Sequence, residues 1–326
     1  MGLRRSARVG LAASSHRSVT ARFALKWTAK AVTPPILVLG AKLLLIKLGL
    51  RNPDAPPVPD EPPVEEAEPE WEYAPDGWRQ TESDPRLAGW DVEGVAEAYR
   101  SKWSSYARAL EGPSPLGIYH EVSEGEEVKG DDVAAHNMLV SFAYVVALAA
   151  RSKERLSLLD WGGGIGQYAL LAEKVLPGIE LDYHCKEMPQ IVATARALGF
   201  PGRFIDDDSW RDRQYDLVLV SGSLQYSEDW CGTLHDLAGH TGGHLYLTRL
   251  PLARTVPSFT VIQRAYAYGY GTEYLGWVVN REELLACAER ASLELLREFL
   301  LDAWLSAKGA PESPTGHGGF LFRRRG

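Results

Sequence analysis

Eight residues, Leu159-Asp160-Trp161-Gly162-Gly163-Gly164-Ile165-Gly166, constrain this chain more than any other stretch. Upstream, Leu156-Ser157-Leu158-Leu159 is a short apolar strand candidate, and downstream Tyr168 to Val175 reads as the start of an apolar helix. The glycines therefore fall on a strand-to-helix turn, where backbone must approach a ligand with no Cβ in the way. Asp160, two residues before Gly162, completes a D-x-G-x-G-x-G spacing with Gly162, Gly164 and Gly166. A dinucleotide fingerprint, G-x-G-x-x-G/A, needs a small residue at position 167, and this chain has Gln167 there. The turn predicts a nucleotide-binding α/β sheet and points away from a nicotinamide dinucleotide as its ligand.

The pattern beyond the turn agrees. A second strand is expected over Ile179 to Cys185, running into Lys186-Glu187-Met188-Pro189. Glu187 lies 25 residues beyond Gly162, close to where such sheets place an acid that accepts ribose hydroxyls. Its two oxygens can each accept one O–H bond. The third strand, Gly202 to Ile205, ends in Asp206-Asp207-Asp208, and Asp206 or Asp207 is a candidate acceptor for an adenine amino group. Tyr215 to Val220 is near-continuously apolar, as a buried parallel strand should be. It runs into Ser221-Gly222-Ser223-Leu224-Gln225-Tyr226, at the carboxyl edge where ligands bind. Gly243 to Leu250, Leu293 to Leu301 and Gly319 to Arg323 complete seven strands, the last pair expected to be antiparallel. Asn280 with Glu283 forms a capping-box pattern for a helix over Arg281 to Ala291.

The segments before this sheet differ in composition. Residues 1–51 carry ten Lys or Arg and no Asp or Glu, so the rest of the chain sums to −18 against a total of −8. An acidic body argues against nucleic acid as substrate, because neutralising phosphates needs a basic face. The arm, residues 1–52, is expected to be amphipathic, with Val19, Phe23, Trp27 and Ala31 on one stripe and Arg22, Lys26 and Lys30 beside it. Ile36 to Leu50 is too short to span a bilayer, which takes about 20 residues. Burying Lys42 near its middle costs about 2.5–3.5 kcal/mol. An in-plane anchor on an anionic membrane avoids that cost. A disordered basic tail, an organelle transit peptide and a myristoylation signal at Met1-Gly2 are the competing readings. Seven prolines and seven acids among residues 53–70 make that stretch an extended linker.

Residues 71–130 are rich in Trp and Tyr. A helix is expected over Val92 to Leu110, with Val95, Tyr99, Trp103 and Tyr106 on one face, and the segment reads as a cap over the sheet. A further helix, Asp131 to Arg151, leads into the glycine strand. Cys185, Cys231 and Cys287 are far apart, form no C-x-x-C pair, and are expected to be free thiols in a reducing cytosol. The histidines show no metal-ligand spacing, so no metal is expected.

With these residues in view, the chain resembles class I S-adenosylmethionine-dependent methyltransferases. More narrowly, residues 71–326 resemble a family of bacterial methyltransferases often found among surface-polysaccharide genes. The resemblance rests on the aromatic signature at Trp71 to Trp78, on LDWGGGIG, and on K-E-M-P at Glu187. S-G-x-L-Q-Y at Ser221 to Tyr226 and T-R-L-P-L at Thr248 to Leu252 add to it. Trp161 replaces the usual Phe, and Trp230 stands where proline is usual. The resemblance implies an α/β fold with a seven-stranded, mostly parallel Rossmann-like sheet over residues 131–326 and helices on both faces. It also implies S-adenosyl-L-methionine as cofactor, held by Asp160, Gly162, Gly164, Gly166, Glu187, Asp206, Asp207 and Ser221.

Methyl transfer from a sulfonium depends mostly on positioning. An alcohol acceptor also has to lose a proton, and no dyad in the sequence declares a base. Gln225 and Tyr226 after the fourth strand, Arg249 after the fifth, and His120 or His136 are the candidates by location, with His120 best placed. Gln225, a neutral amide, can orient but not deprotonate. The expected enzyme acts on a surface glycan or lipid-linked sugar, in the cytoplasm and peripheral to the inner membrane face. The alternatives are a methyltransferase for a small metabolite or protein, a silent cofactor-binding subunit, and a nicotinamide enzyme with a degenerate loop.

Overall fold

The period-two alternation of apolar side chains along the central strands shows why the sheet is covered on both sides. In the computed structural model, which describes residues 68–82, 84–111, 132–200 and 202–325, Leu217 and Leu219 pack into one core while Val218 and Val220 pack into another. Tyr246 and Leu321 join the first core, and Leu245, Leu247, Phe320 and Phe322 the second. Successive side chains point to opposite faces of a strand, so a sheet apolar at every position must be sandwiched.

The seven expected strands are all present: β2 (Arg155–Trp161), β3 (Glu180–Lys186), β4 (Arg203–Ile205), β5 (Tyr215–Ser221), β6 (Thr241–Ala253), β9 (Leu293–Leu305) and β10 (Thr315–Arg324). Their pairings give the order β4-β3-β2-β5-β6-β10-β9, parallel through β6, with β10 antiparallel to both β6 and β9. The chain leaves β2 in one direction to β3 and β4, then returns to β5 on the other side of β2. Strand order reverses between β2 and β5, and their carboxyl ends open the crevice where doubly wound sheets bind ligands.

The helices divide between the two faces of the sheet. Residues of α3 (Gln167–Val175) and α4 (Pro189–Ala197) pack in the first core, and those of α5 (Trp230–Gly239) and α6 (Arg281–Arg290) in the second. The two helices expected ahead of the sheet, α1 (Glu93–Ala109) and α2 (Val133–Ala149), also lie in the first core. Asp132 caps α2, its carboxylate accepting from the Ala135 amide at 2.9 Å. For α6 only half of the capping box forms. The Asn280 side chain accepts from the Glu282 and Glu283 amides, but the Glu283 carboxylate turns to the Ser258 hydroxyl.

Three further strands were not legible in the sequence: β1 (Trp71–Tyr73), β7 (Phe259–Arg264) and β8 (Glu273–Asn280). They form an antiparallel ribbon in the order β1-β7-β8. Its β8 joins β6 at Leu252 and Ala253, where β6 has run past the end of β5. The expected helical cap is thus part strand and part helix. One compact unit, residues 67–326, holds all the described elements.

The expectation of three free thiols is corrected. Cys231 on α5 and Cys287 on α6 form a disulfide with a Cα–Cα distance of 6.0 Å, and Cys185 is the buried free thiol. Two cysteines 56 residues apart carry no local spacing signal, and only the packing of α5 against α6 brings them together. No helix among the described residues is long and apolar enough to cross a membrane. The arm, most of the linker and His120 lie outside the described residues.

Candidate active site

The turn after β2 is shaped by what its glycines lack. Gly162, Gly164 and Gly166 take φ values of +71°, +62° and +92°, the left-handed region that side chains with a Cβ disfavour. Gly163 has an additional steric reason, since a Cβ there would lie 2.3 Å from the Asp160 carboxyl carbon. Asp160 itself is fully buried under the turn. Its Oδ2 accepts from the Tyr183 hydroxyl at 2.7 Å, while Oδ1 is buried with no partner among the described residues. Burial pushes its carboxyl up to about 7, against the opposing effect of the Tyr183 bond.

Glu187 ends β3 directly beside the turn. One carboxylate oxygen accepts from the Gly164 amide at 3.1 Å and the other from the Met188 amide at 2.6 Å. Each oxygen has a second lone pair, and the residue lines a cavity of about 690 Å³. Desolvation raises its carboxyl to about 7, although both amide bonds and Lys186 favour the charged form.

The cavity lies at the switch point and is lined by two sets of residues. Gly162, Gly163, Gly164, Glu187 and Ser221 belong to the carboxyl ends of the parallel strands and the turns after them. The Ser221 hydroxyl is 2.7 Å from that of Tyr168. Trp90, Tyr226, Tyr270 and Tyr274 form an aromatic wall, and Arg249 and His317 also line the cavity. The Trp90 and Tyr274 rings stack at 4.3 Å, and Tyr226 meets Tyr274 edge-on at 5.0 Å, so the aromatic wall is held by its own contacts.

The other expected residues are placed as follows. Gln225 is 95% buried and lines the cavity, with its Oε1 unpartnered among the described residues. Tyr226 donates its hydroxyl to Gln263 Oε1 at 2.8 Å, and burial drives its phenol well above the ordinary value. It therefore stays protonated, a donor and a wall rather than a base. Asp160 and Gly166 shape the turn from below without lining the cavity. Asp206 and Asp207 do not line it either: Asp206 lies 3.5 Å from Arg196, and Asp207 caps a short turn by accepting from the Ser209 amide at 2.9 Å. His136 is exposed on α2 and lies off the cavity, which removes it as a candidate base.

Sequence reasoning missed His317. Its Nδ1–H donates to the Ala303 carbonyl at 3.2 Å, because a carbonyl can only accept. That bond fixes the tautomer and leaves Nε2 as the acceptor, with no partner among the described residues. Burial lowers the imidazole to about 4, and the Arg249 charge adds to the shift. The ring is therefore neutral over the physiological range.

No family model and no curated protein matches the sequence. Solved structures with similar folds include the magnesium protoporphyrin IX methyltransferase of Synechocystis with bound S-adenosylhomocysteine. It is 13% identical, with 71% of this chain and 98% of that one covered and a TM-score of 0.41. CalS10, an amino pentose methyltransferase from Micromonospora echinaspora solved with S-adenosylmethionine, is 16% identical over 63% of this chain and 100% of that one, with a TM-score of 0.39. The N-terminal domain of EvdMO1, solved with S-adenosylhomocysteine and D-fucose, is 17% identical over 69% and 97%, with a TM-score of 0.41. At these identities the likeness concerns the fold.

Proposed function

We propose that this chain is an S-adenosylmethionine-dependent methyltransferase acting on a hydroxyl-bearing sugar, free or within a glycan or lipid-linked precursor. The observation that carries the reading is Glu187. Its carboxylate is oriented by two backbone amides, keeps unused lone pairs, and borders both the cavity and the glycine turn. A nucleoside with two ribose hydroxyls satisfies that carboxylate, and the glycine turn, which closes on Ser223, Asp160 and Tyr99 because Gly162 to Gly164 lack a Cβ, borders the same cavity. Bound there, the cofactor would supply an electrophilic methyl group on a sulfonium.

The chain's own residues do the remaining work. In this reading the unpartnered Gln225 Oε1 accepts a hydrogen bond from the acceptor and orients it. His317 Nε2 is placed to take the proton that an acceptor hydroxyl loses as its oxygen is alkylated. The aromatic wall displaces water and offers flat faces to a sugar ring. The arm at residues 1–52 is proposed to hold the enzyme on an anionic membrane surface, through the linker at 53–70.

Calorimetry with S-adenosylmethionine and with NAD tests the cofactor, the expected result being binding of the first alone. Mass spectrometry of surface glycans from cells with and without the gene tests the acceptor, and the loss of one methyl group's mass is expected. Unchanged glycans together with methylation of a free metabolite would favour the small-molecule reading.

A further inference from the structure

Arg249 is the cation that the proposed chemistry leaves unused. It sits on β6 as a non-glycine residue with φ +58° and lines the cavity, half-buried. A residue held in this disfavoured region is retained where the surrounding structure fixes it, often at a ligand site. The guanidinium lies against the turn after β5, where a Cβ on Gly222 would come within 3.3 Å of its Cζ and Nη1.

No carboxylate among the described residues pairs with Arg249, in contrast to the guanidinium of Arg264. Arg264, which is almost fully buried, is met by Glu72 at 2.6 Å and by Glu68 and Glu273 at 3.3 and 3.7 Å. A guanidinium withdrawn from water without a counter-ion is costly, and its fork of donors matches a carboxylate or phosphate. Two acceptor atoms stand in the same cavity: Gln225 Oε1, orphaned on a residue 95% buried, and His317 Nε2. His317 pairs with Pro251 across the β10–β6 ladder, which places it diagonally from Arg249. Anion-binding donors and hydroxyl-binding acceptors thus line the same cavity.

We propose that the methyl acceptor is a sugar bearing an oxyanion, either carboxylate or phosphate, which docks on Arg249 while a hydroxyl of the same molecule donates to Gln225 Oε1 or His317 Nε2. The proposal deepens the methyltransferase reading and rests on it. The competing source of an oxyanion is the cofactor's own carboxylate. The acceptor is favoured because Arg249 lies diagonally from His317 across the β6–β10 ladder, near enough to His317 and Tyr226 for its charge to act on both.

The test is calorimetric titration of the full chain with D-glucuronate, D-glucose 6-phosphate and D-glucose, each with and without S-adenosylhomocysteine. At least one of the anionic sugars is expected to bind tenfold or more tightly than glucose. Arg249→Gln should abolish that preference while changing S-adenosylhomocysteine affinity less than twofold, and Arg249→Lys, which keeps the charge, should retain part of it. Equal binding of the three sugars, or no binding of any, overturns the proposal. So does an Arg249→Gln variant that loses S-adenosylhomocysteine as strongly as the anion, since the guanidinium would then serve the cofactor. Failure of the wild-type chain to bind S-adenosylhomocysteine while it keeps an Arg249-dependent anion preference would instead remove the methyltransferase reading and leave the anion site.

Discussion

On the glycine side of the cavity, geometry is written in the backbone; on the aromatic side it is written in side chains drawn from distant parts of the chain. The first side takes its shape from residues 160–166 and from Glu187, at the ends of adjacent parallel strands β2 and β3. The second draws Trp90 from the segment before α1, Tyr270 and Tyr274 from the β7–β8 region, and His317 from β10. A site fixed by local backbone serves a constant ligand. A site assembled from long-range side chains can change its ligand through a few substitutions without disturbing the sheet.

The largest effect expected on the glycine side is from Gly164→Val. The position has φ +62°, and even a Cβ would meet Gln167 Oε1 at 3.0 Å and the Tyr99 ring at 3.1 Å. Cofactor binding by calorimetry should be lost altogether. A variant that melts like the parent and still binds would remove the turn from the site.

On the other side, His317→Gln should lower turnover by about a hundredfold, the low end for a general base. Cofactor affinity should stay within a factor of about two, since His317 makes none of the contacts that hold Glu187 or the glycine turn. A loss confined to KM, with kcat unchanged, would make His317 a binding residue and not a proton acceptor.

The same division explains what could be read from the sequence. The seven strands of the main sheet were legible from short local signals, strongest in the apolar runs of β2 and β5. The antiparallel ribbon was not, because β7 and β8 gain their stability from pairing with each other and with β1, nearly 190 residues earlier. The last strand was read as beginning at Gly319, whereas it begins at Thr315. His317 therefore fell in an apparent glycine-rich loop. Glu187 follows β3 directly and Gln225 lies in the short turn after β5, so sequence could place both at the carboxyl edge of the sheet. Asp206 and Asp207 follow a strand as well, but nothing local distinguishes an acid that turns into the cavity from one that caps the next turn. Nor could any sequence pattern pair Cys231 with Cys287.

Glu187→Ala should cost less than either change above. Charge-assisted hydrogen bonds are worth about 1.5–3 kcal/mol each, so loss of one or two from ribose hydroxyls lowers cofactor affinity at least about tenfold. Isothermal titration on folded protein checks this, and an unchanged affinity would dissociate the end of β3 from the cofactor.

The smallest and most specific effect concerns protons. The Glu187 carboxyl is raised to about 7 in the free protein, chiefly by desolvation. Only the ionised carboxylate can accept from both ribose hydroxyls, so binding should strengthen as pH rises from 6 towards 8 and then level off. Folding stability should respond in the opposite sense. An acid with a raised folded pKa stabilises the fold below its unfolded value, and that contribution is lost as pH rises through about 7. Asp160, also raised to about 7 by burial, adds to the loss of stability. It does not line the cavity and should contribute little to the binding profile. The His317 imidazole, lowered to about 4, loses its contribution only as pH falls from about 6.5 through that value. Glu187→Gln separates the two effects. It should flatten the pH dependence of cofactor affinity while the Asp160 share of the stability change remains, as thermal melts across the same range would record. A binding profile that keeps its slope in Glu187→Gln would assign the titration to a different group and detach the raised carboxyl at the end of β3 from cofactor recognition.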